Sequence, residues 1–200
     1  RINNDQRQNI MPAHIRRHGS EHTEAIVTAT NFGTGGNSNF WVQDSSGAMQ
    51  VFLGFMNPVE ATVKVGDAVS FHVTQLGNFD GTPQIAALDT FTVVSPGNAV
   101  PYADKSGVDL VAEDYATIVR ITGTLGAVGT ECGGASKCYE LVNGTQTLIY
   151  RSSSEFTEPG DCVTYVGPLG MFPGPKNDEG TVGDWQLDVK NFDWSFTEFN

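Results

Sequence analysis

Residues 39–52 read NFWVQDSSGAMQVF, and this stretch determines the fold class that the sequence predicts. Two runs rich in aromatic and β-branched residues flank residues 44–47 (DSSG), a composition typical of tight turns. We therefore expect a β-hairpin here. The strand EAIVTATNF precedes it, and AVSFHVTQLGNF and QIAALDTFTVV follow, separated by the turn DG at 80–81. Five strands in about seventy residues, with no long helix, predict a small barrel.

A looser version of the same pattern recurs about ninety residues later. There CYELV and TLIYR flank Asn143-Gly144, as a second hairpin would. Three dipeptides also recur in order: Ile26-Val27 as Ile118-Val119, Gly66-Asp67 as Gly160-Asp161, and Gln84-Ile85 as Gln186-Leu187. The sequence therefore predicts an all-β protein with two tandem five-stranded barrels. We assign 1–22 to a short helical or irregular segment, 23–95 to the first barrel, 96–112 to a linker and 113–198 to the second barrel.

The charge of the chain is strongly negative and unevenly distributed. The formal net charge is −12, and from residue 18 onward seven Lys and Arg stand against twenty-two Asp and Glu. Affinity for nucleic acid depends largely on neutralising phosphates with Lys and Arg, so a body this acidic disfavours nucleic acid as a partner. The chain also has no run of eighteen apolar residues, and no transmembrane segment is expected.

The stretches IVTAT, NFWVQDSSGAMQVF and VKVGDAVSFHVTQLGNFDGTPQI resemble OB-fold domains of secreted bacterial nucleases and other exported multi-domain proteins. The resemblance covers residues 23–95 well and 113–198 more weakly, because CYELVNG replaces WVQDSSG in the second copy. It implies OB-fold-like barrels that serve as accessory modules. It also implies a bacterial protein that is exported, whether periplasmic, outer-surface or secreted. Arg1 in place of Met indicates a trimmed chain, in which Arg1 follows either a removed export signal or a larger domain.

Barrels of this type bind ligands on the face of strands 2 and 3 and on neighbouring loops. On the second strand, Trp41 and Gln43 share a face opposite to Phe40. The expected ligand-binding residues are Trp41, Gln43, Phe52 and Phe79. The alternative is that these aromatic residues only pack in the core or between the two barrels.

Two groups of residues have the chemistry of metal ligands. His14, His18 and His22 are spaced by four residues, as imidazoles on one face of a helix that chelate Zn²⁺ would be. Asp178, Glu179 and Asp184 offer carboxylates to Ca²⁺ in a late glycine-containing loop. Neither group has a complete ligand pattern, so we expect solvated segments in both places and no cofactor.

The cysteines indicate a disulfide. Cys132 and Cys138 flank the short loop GGASK, and a bridge between them is the favoured pairing. A bridge between Cys138 and Cys162 is the alternative. The spacing contains no CxxC, which argues against a zinc site.

No motif in the sequence predicts a reaction. The chain has no GxSxG, no HExxH and no phosphate-binding loop, so an enzyme is not the favoured interpretation. We expect a non-catalytic binding or assembly module that recognises a protein, a glycan or an extracellular polymer. The alternatives are a metal-assisted hydrolase and a single-stranded nucleic-acid-binding accessory domain of a secreted nuclease.

Overall fold

The computed structural model describes residues 21–31, 37–55, 63–79, 82–129, 137–172, 184–188 and 196–199. In these ranges the protein consists almost entirely of β-strands, and its one helical element is a 3-10 turn at Ala112–Asp114. This confirms the predicted all-β class. No helix in the same ranges is long and apolar enough to cross a bilayer.

The first β-unit is a closed five-stranded barrel with the strand order β1-β2-β3-β5-β4. Its strands are β1 (Glu21–Asn31), β2 (Asn37–Asp44), β3 (Gly47–Phe55), β4 (Ala68–Phe79) and β5 (Thr82–Ser95). β3 and β5 pair in parallel and the other neighbours are antiparallel, with β4 pairing back onto β1 to close the barrel. The predicted five-stranded barrel is confirmed here.

Two turns explain why these residues form this barrel. The β2–β3 turn is fixed by Asp44, whose Oδ1 accepts a hydrogen bond of 2.8 Å from the backbone N–H of Ser46. The turn before β4 uses Gly66, which has a φ of +87° and no room for a Cβ, since one would lie 2.9 Å from the carbonyl oxygen of Asn98. Asp67 then closes the turn by accepting the backbone N–H of Lys64 at 2.9 Å.

The described residues of the second β-unit form eight strands. They are β6 (Tyr102–Asp104), β7 (Ile118–Gly129), β8 (Lys137–Asn143), β9 (Gln146–Ser152), β10 (Cys162–Pro168), β11 (Gly170–Phe172), β12 (Asp184–Asp188) and β13 (Phe196–Phe199). Seven of them follow the order β11-β12-β9-β8-β7-β10-β13, and β6 pairs with β7 in parallel. β6 lies within the stretch that the sequence suggests as a linker.

The second unit repeats the strand connections of the first. β7, β8 and β9 form the same antiparallel meander as β1, β2 and β3, and β9 pairs in parallel with β12 as β3 pairs with β5. β10 pairs with β7 as β4 pairs with β1. The counterpart of β4 is divided into β10 and β11 by Leu169, and β12 and β13 pair with these two strands as β5 pairs with β4. The duplicated OB-fold-like architecture is therefore present, with one strand of the second copy interrupted within the described residues.

Backbone pairing also tests the dipeptides that were matched in the sequence. In the first unit Val27 exchanges backbone hydrogen bonds with Gly66 and Asp67, at 2.9 and 2.8 Å. In the second unit Leu125 makes the same two bonds, both 2.8 Å, with Gly160 and Asp161. The match of the two Gly-Asp pairs is thus confirmed.

The match of Ile26-Val27 with Ile118-Val119 is wrong, because the structural counterpart of Val27 is Leu125. Ile118 and Val119 lie at the beginning of the longer strand β7, where they pair with β6. The Gly-Asp turn sets the register of the strand opposite it, and an apolar dipeptide that occurs earlier in that strand does not.

The cores of the two units use different aromatic residues. In the first, Phe91 lies with its ring centroid 6.2 Å from those of both Phe40 and Phe71. In the second, Tyr139 and Tyr150 pack edge to face at 6.5 Å. The buried hydroxyl of Tyr139 donates to the carbonyl oxygen of Thr157, as a buried phenol requires.

Two side chains join the units. The hydroxyl of Tyr115 donates to the carbonyl oxygen of Pro83 on β5 at 2.7 Å, and both residues are buried. The hydroxyl of Thr82 donates to the carbonyl oxygen of Met171 on β11. These bonds fix the start of β5 against the second unit, and the candidate site is found at this junction.

Candidate functional site

A cavity of about 300 Å³ lies between the two β-units, and we call it the inter-unit cleft. The first unit lines it with Asn39, Trp41, Gln50, Phe52, Phe79, Thr82 and Gln84. The second unit lines it with Arg151, Pro168, Gly170, Met171, Gln186 and Asp188.

The wall from the first unit carries three aromatic side chains. Alternation along β2 points Phe40 into the barrel and leaves Trp41 on the opposite face, where it is 5% exposed. Phe52 on β3 is half-buried, and Phe79 at the end of β4 is 56% exposed. The first unit therefore offers three aromatic side chains, in order of increasing exposure, to any group that enters the cleft.

Amide side chains accompany these rings. Gln50 lies directly across from Trp41 in the β2–β3 pair, and its Nε2 donates to Oδ1 of Asn39 at 2.9 Å. Gln84 follows on β5, in register with Gln50. Amide groups both donate and accept hydrogen bonds, so this edge of the cleft suits a ligand that carries both kinds of group.

The wall from the second unit carries the only charged groups among the described lining residues. Arg151 on β9 and Asp188 on β12 are cross-strand partners, with Nη1 and Oδ2 3.4 Å apart. Their side chains are 16% and 23% exposed, so the pair is largely shielded from water. One guanidinium and one carboxylate give the lining a net charge of zero.

Two positions of the duplicated unit line the cleft from both walls. The parallel pairings place Gln84 opposite Gln50 and Gln186 opposite Ile149, so Gln84 and Gln186 occupy the same position in each copy. By the same register Phe52 corresponds to Arg151. The units thus present matching strands to each other, with an aromatic ring on one side and a guanidinium on the other.

The structure brings three of the four sequence-predicted binding residues to this cleft: Trp41, Phe52 and Phe79. Gln43 does not line it, and its buried side-chain oxygen has no hydrogen-bond partner within the described part of the chain. Sequence reasoning missed the wall from the second unit. The recurring dipeptides Gln84-Ile85 and Gln186-Leu187 indicated the repeat. They also contained a signal for the site, because Gln84 and Gln186 both line the cleft.

Four of the proposed metal ligands lie outside the described residues: His14, His18, Asp178 and Glu179. His22 lies in β1, so the expected helical face of three histidines is wrong at its third member. Asp184 lies in β12. Among the described residues no group of three or more His, Cys, Asp or Glu side chains is arranged to hold a metal ion.

The structure tests part of the predicted cysteine pairing. Cys138 is disulfide-bonded, whereas Cys162 is a free thiol. The alternative bridge between these two residues is therefore wrong. Cys132 lies outside the described residues, and the pairing of Cys132 with Cys138 stays a prediction.

Comparison with known proteins gives structural matches alone. No protein-family model matches the chain, and no curated protein sequence does. A murine DNA-binding protein bound to double-stranded DNA matches with 12% identity and a TM-score of 0.45, over 90% of this chain and 94% of that one. The tetrameric p202 HIN2 domain matches with 12% identity and a TM-score of 0.41, over 92% and 93% of the two chains.

The Ifi202 HINa domain, in complex with double-stranded DNA of 20 base pairs, matches with 14% identity and a TM-score of 0.40, over 92% and 97% of the chains. At such identities these matches describe a likeness of fold, and HIN domains are OB-fold-like.

The matches contradict several expectations. The resemblance to accessory domains of secreted bacterial nucleases is wrong, and so are the exported, periplasmic, outer-surface or secreted location and the bacterial source that it implied. The physical reason is that the motif residues form turns. Asp44, Gly66 and Asp67 determine the geometry of the barrel and carry no information about location.

The expected recognition of a protein, a glycan or an extracellular polymer is wrong as well, since the matched domains include complexes with DNA. The exclusion of nucleic acid because of the acidic body is contradicted by the same structures. That exclusion averaged charge over the whole chain, whereas a ligand meets the local charge of its site. The lining of the inter-unit cleft is neutral, although the chain is not.

Proposed function

We propose that the protein binds single-stranded nucleic acid by taking unstacked bases into the inter-unit cleft. The observation that carries this proposal is the composition of the cleft. Three aromatic side chains, Trp41, Phe52 and Phe79, line a cavity of about 300 Å³ together with amide groups and one Arg–Asp pair, and this lining is electrically neutral. A nucleobase has the same combination of properties, because it is a flat uncharged ring with hydrogen-bonding edges.

The size of the cleft favours bases over whole duplexes. Its volume is at the lower end of the range of roughly 300–1,000 Å³ found for small-ligand pockets. A duplex keeps its bases stacked and paired inside the helix, so it has no free ring to insert. Single strands, loops and ends do present such rings, and proteins commonly bind them by stacking on aromatic side chains.

The energy of binding should come mainly from stacking. Stacking of a base on an aromatic side chain contributes roughly 1–3 kcal/mol. The phosphate term should be small or unfavourable here, because the lining has no net positive charge and the body is acidic. Most single-strand binders lose affinity with added salt, with a slope of about −0.7 per phosphate contact on a log–log plot. In this protein salt screens repulsion, so affinity should stay level or rise.

A titration with fluorescent oligonucleotides over a range of salt concentrations tests the proposal. We expect saturable binding of a single strand of about eight nucleotides, a length typical of OB-fold sites, and much weaker binding of the same sequence as a duplex. The affinity for the single strand should not fall as NaCl is raised. A strongly negative salt slope, or equal affinity for single strand and duplex, would contradict the proposal.

Two phenylalanine variants locate the site. Phe79→Ala removes a ring that is 56% exposed, so folding should be little affected while affinity falls about 5- to 150-fold. Phe156→Ala is the matched control, because Phe156 is 88% exposed and does not line the cleft. If both variants bind like the wild type, or if both lose affinity equally, bases do not stack at Phe79.

A further inference from the structure

We infer that the Arg151–Asp188 pair is a specificity determinant that selects guanine among the four bases. This inference rests on the proposed function and adds to it which base the cleft prefers. It starts from the asymmetry of the two walls. The duplication places Phe52 and Arg151 at equivalent positions, so the aromatic wall stacks the ring while the opposite wall supplies charged hydrogen-bonding groups.

The geometry of the pair allows both side chains to form hydrogen bonds with a ligand. Arg151 and Asp188 are neighbours on adjacent strands, which fixes their backbones relative to each other. Their 3.4 Å separation is longer than the 2.7–2.9 Å typical of a charge-assisted hydrogen bond. A carboxylate has about four acceptor sites and a guanidinium has five donors, so both groups can bond a base while they remain next to each other.

The pattern of hydrogen-bonding groups matches one base best. Guanine has two donors side by side, N1–H and the N2 amino group, followed by the acceptor O6. The carboxylate of Asp188 can accept both donors, and the guanidinium of Arg151 can donate to O6 beside them. Adenine and cytosine each offer one amino group next to a ring acceptor, and thymine offers one N–H between two carbonyls. Only guanine therefore forms two bonds with the carboxylate.

The neighbouring residues support this assignment. Gln186, on the same strand as Asp188, is 6% exposed and also lines the cleft. Because the surroundings are shielded from water, a base that leaves the carboxylate unsatisfied loses more than it would at the surface. Discrimination by one well-formed bidentate contact corresponds to about tenfold or more in affinity.

The test compares four single strands of equal length that differ in one central base, in a background of abasic spacers. We expect the strand with guanine to bind at least about tenfold more tightly than the other three. Replacing that guanine by hypoxanthine removes the N2 amino group alone and should abolish most of the preference. If all four strands bind with one affinity, the inference fails while the proposed function stands; if none binds, both fail.

Protein variants give the second arm of the experiment. Asp188→Asn keeps the size of the side chain but provides one acceptor and one donor, so the preference for guanine should disappear while binding of the other strands persists. Asp104→Asn is the matched control, because Asp104 also pairs with an arginine, Arg120, at 2.8 Å on the surface outside the cleft. An unchanged ranking of bases in Asp188→Asn would overturn the inference. The hypoxanthine strand decides the matter if that variant does not fold.

Discussion

Replacing Tyr115 by phenylalanine should loosen the junction that forms the inter-unit cleft. Tyr115 follows the 3-10 turn, is 2% exposed, and donates its hydroxyl to the carbonyl oxygen of Pro83 at 2.7 Å. The substitution removes one oxygen atom and leaves the ring, so packing is retained. Pro83 lies between Thr82 and Gln84, both of which line the cleft, and the lost bond therefore acts directly on the site.

The magnitude follows from the burial of the bond. A hydrogen bond of this kind contributes about 0.5–1.5 kcal/mol net, and a buried carbonyl left without a donor costs roughly 1–3 kcal/mol. We expect Tyr115→Phe to lower the free energy of unfolding by about 1–3 kcal/mol. For a chain of this length each kcal/mol corresponds to about 2–4 °C in the melting temperature. Affinity for single strands should fall as well, because the start of β5 loses a fixed contact.

Urea denaturation and thermal melting measure the first effect, and the oligonucleotide titration measures the second. Tyr102→Phe is the matched control, since Tyr102 is 63% exposed and its loss of a hydroxyl should change neither quantity. If Tyr115→Phe is as stable as the wild type, or if Tyr102→Phe loses as much, the buried bond does not hold the units together.

Three further predictions concern stability. Gly144→Ala should lower the melting temperature, because φ is +60° and the new Cβ would collide with Oδ1 of Asp109; an unchanged melting curve would refute this. Burial raises the pKa of both Tyr115 and Tyr165 above 10. The free energy of unfolding should therefore fall as pH rises past the unfolded pKa of about 10. Urea titrations at alkaline pH should show a smaller fall with pH for Tyr115→Phe than for the wild type. Hydrogen bonds lower the pKa of Asp104 and Asp109 below 3.8 in the folded protein. The two ionised carboxylates therefore add to the free energy of unfolding above pH 3.8, and this contribution is lost as pH falls through the folded pKa. In Asp109→Asn the free energy of unfolding should depend less steeply on pH below about pH 4.

Local signals in the sequence were sufficient for much of the fold. The turn at 44–47 and the Gly-Asp pairs lie where the chain must reverse or enter a strand, and each acts through neighbours within a few residues or through one opposing strand. Alternation along β2 correctly put Phe40 and Trp41 on opposite faces of the strand, and the structure shows that Phe40 is the one inside the barrel. Such features depend on backbone conformation and on burial of one face of a strand. Both restrict which residue types can occur at a position, so both can be recognised in the sequence.

The division of strands in the second unit left no comparable trace. Leu169 interrupts the counterpart of β4, and the break falls where Pro168 cannot donate a ladder hydrogen bond. The pairing of β6 with β7 is equally hard to foresee, since a strand of three residues has no readable periodicity. These features are set by tertiary contacts, which override local propensity.

The sequence predicted the aromatic residues on one wall of the inter-unit cleft and none of the opposite wall. Trp41, Phe52 and Phe79 follow from the general binding face of this type of barrel. The opposite wall depends on how the second unit is placed against the first, and no local pattern encodes that placement. Arg151 and Asp188 are far apart in the sequence and meet only because β9 and β12 pair in parallel. The sequence-based argument against nucleic acid used the total charge of the chain, whereas a ligand meets the charge of the site, which is zero here.

Photocrosslinking of a single strand in which 4-thiothymine is the only base, followed by mass spectrometry of the linked peptides, tests most directly whether bases enter the inter-unit cleft. We expect adducts on peptides that carry Trp41, Phe52, Phe79 or Met171, and their yield should fall when unlabelled single strand is added in excess. Adducts confined to residues outside the cleft, or a yield that the competitor does not change, would contradict base binding at this site.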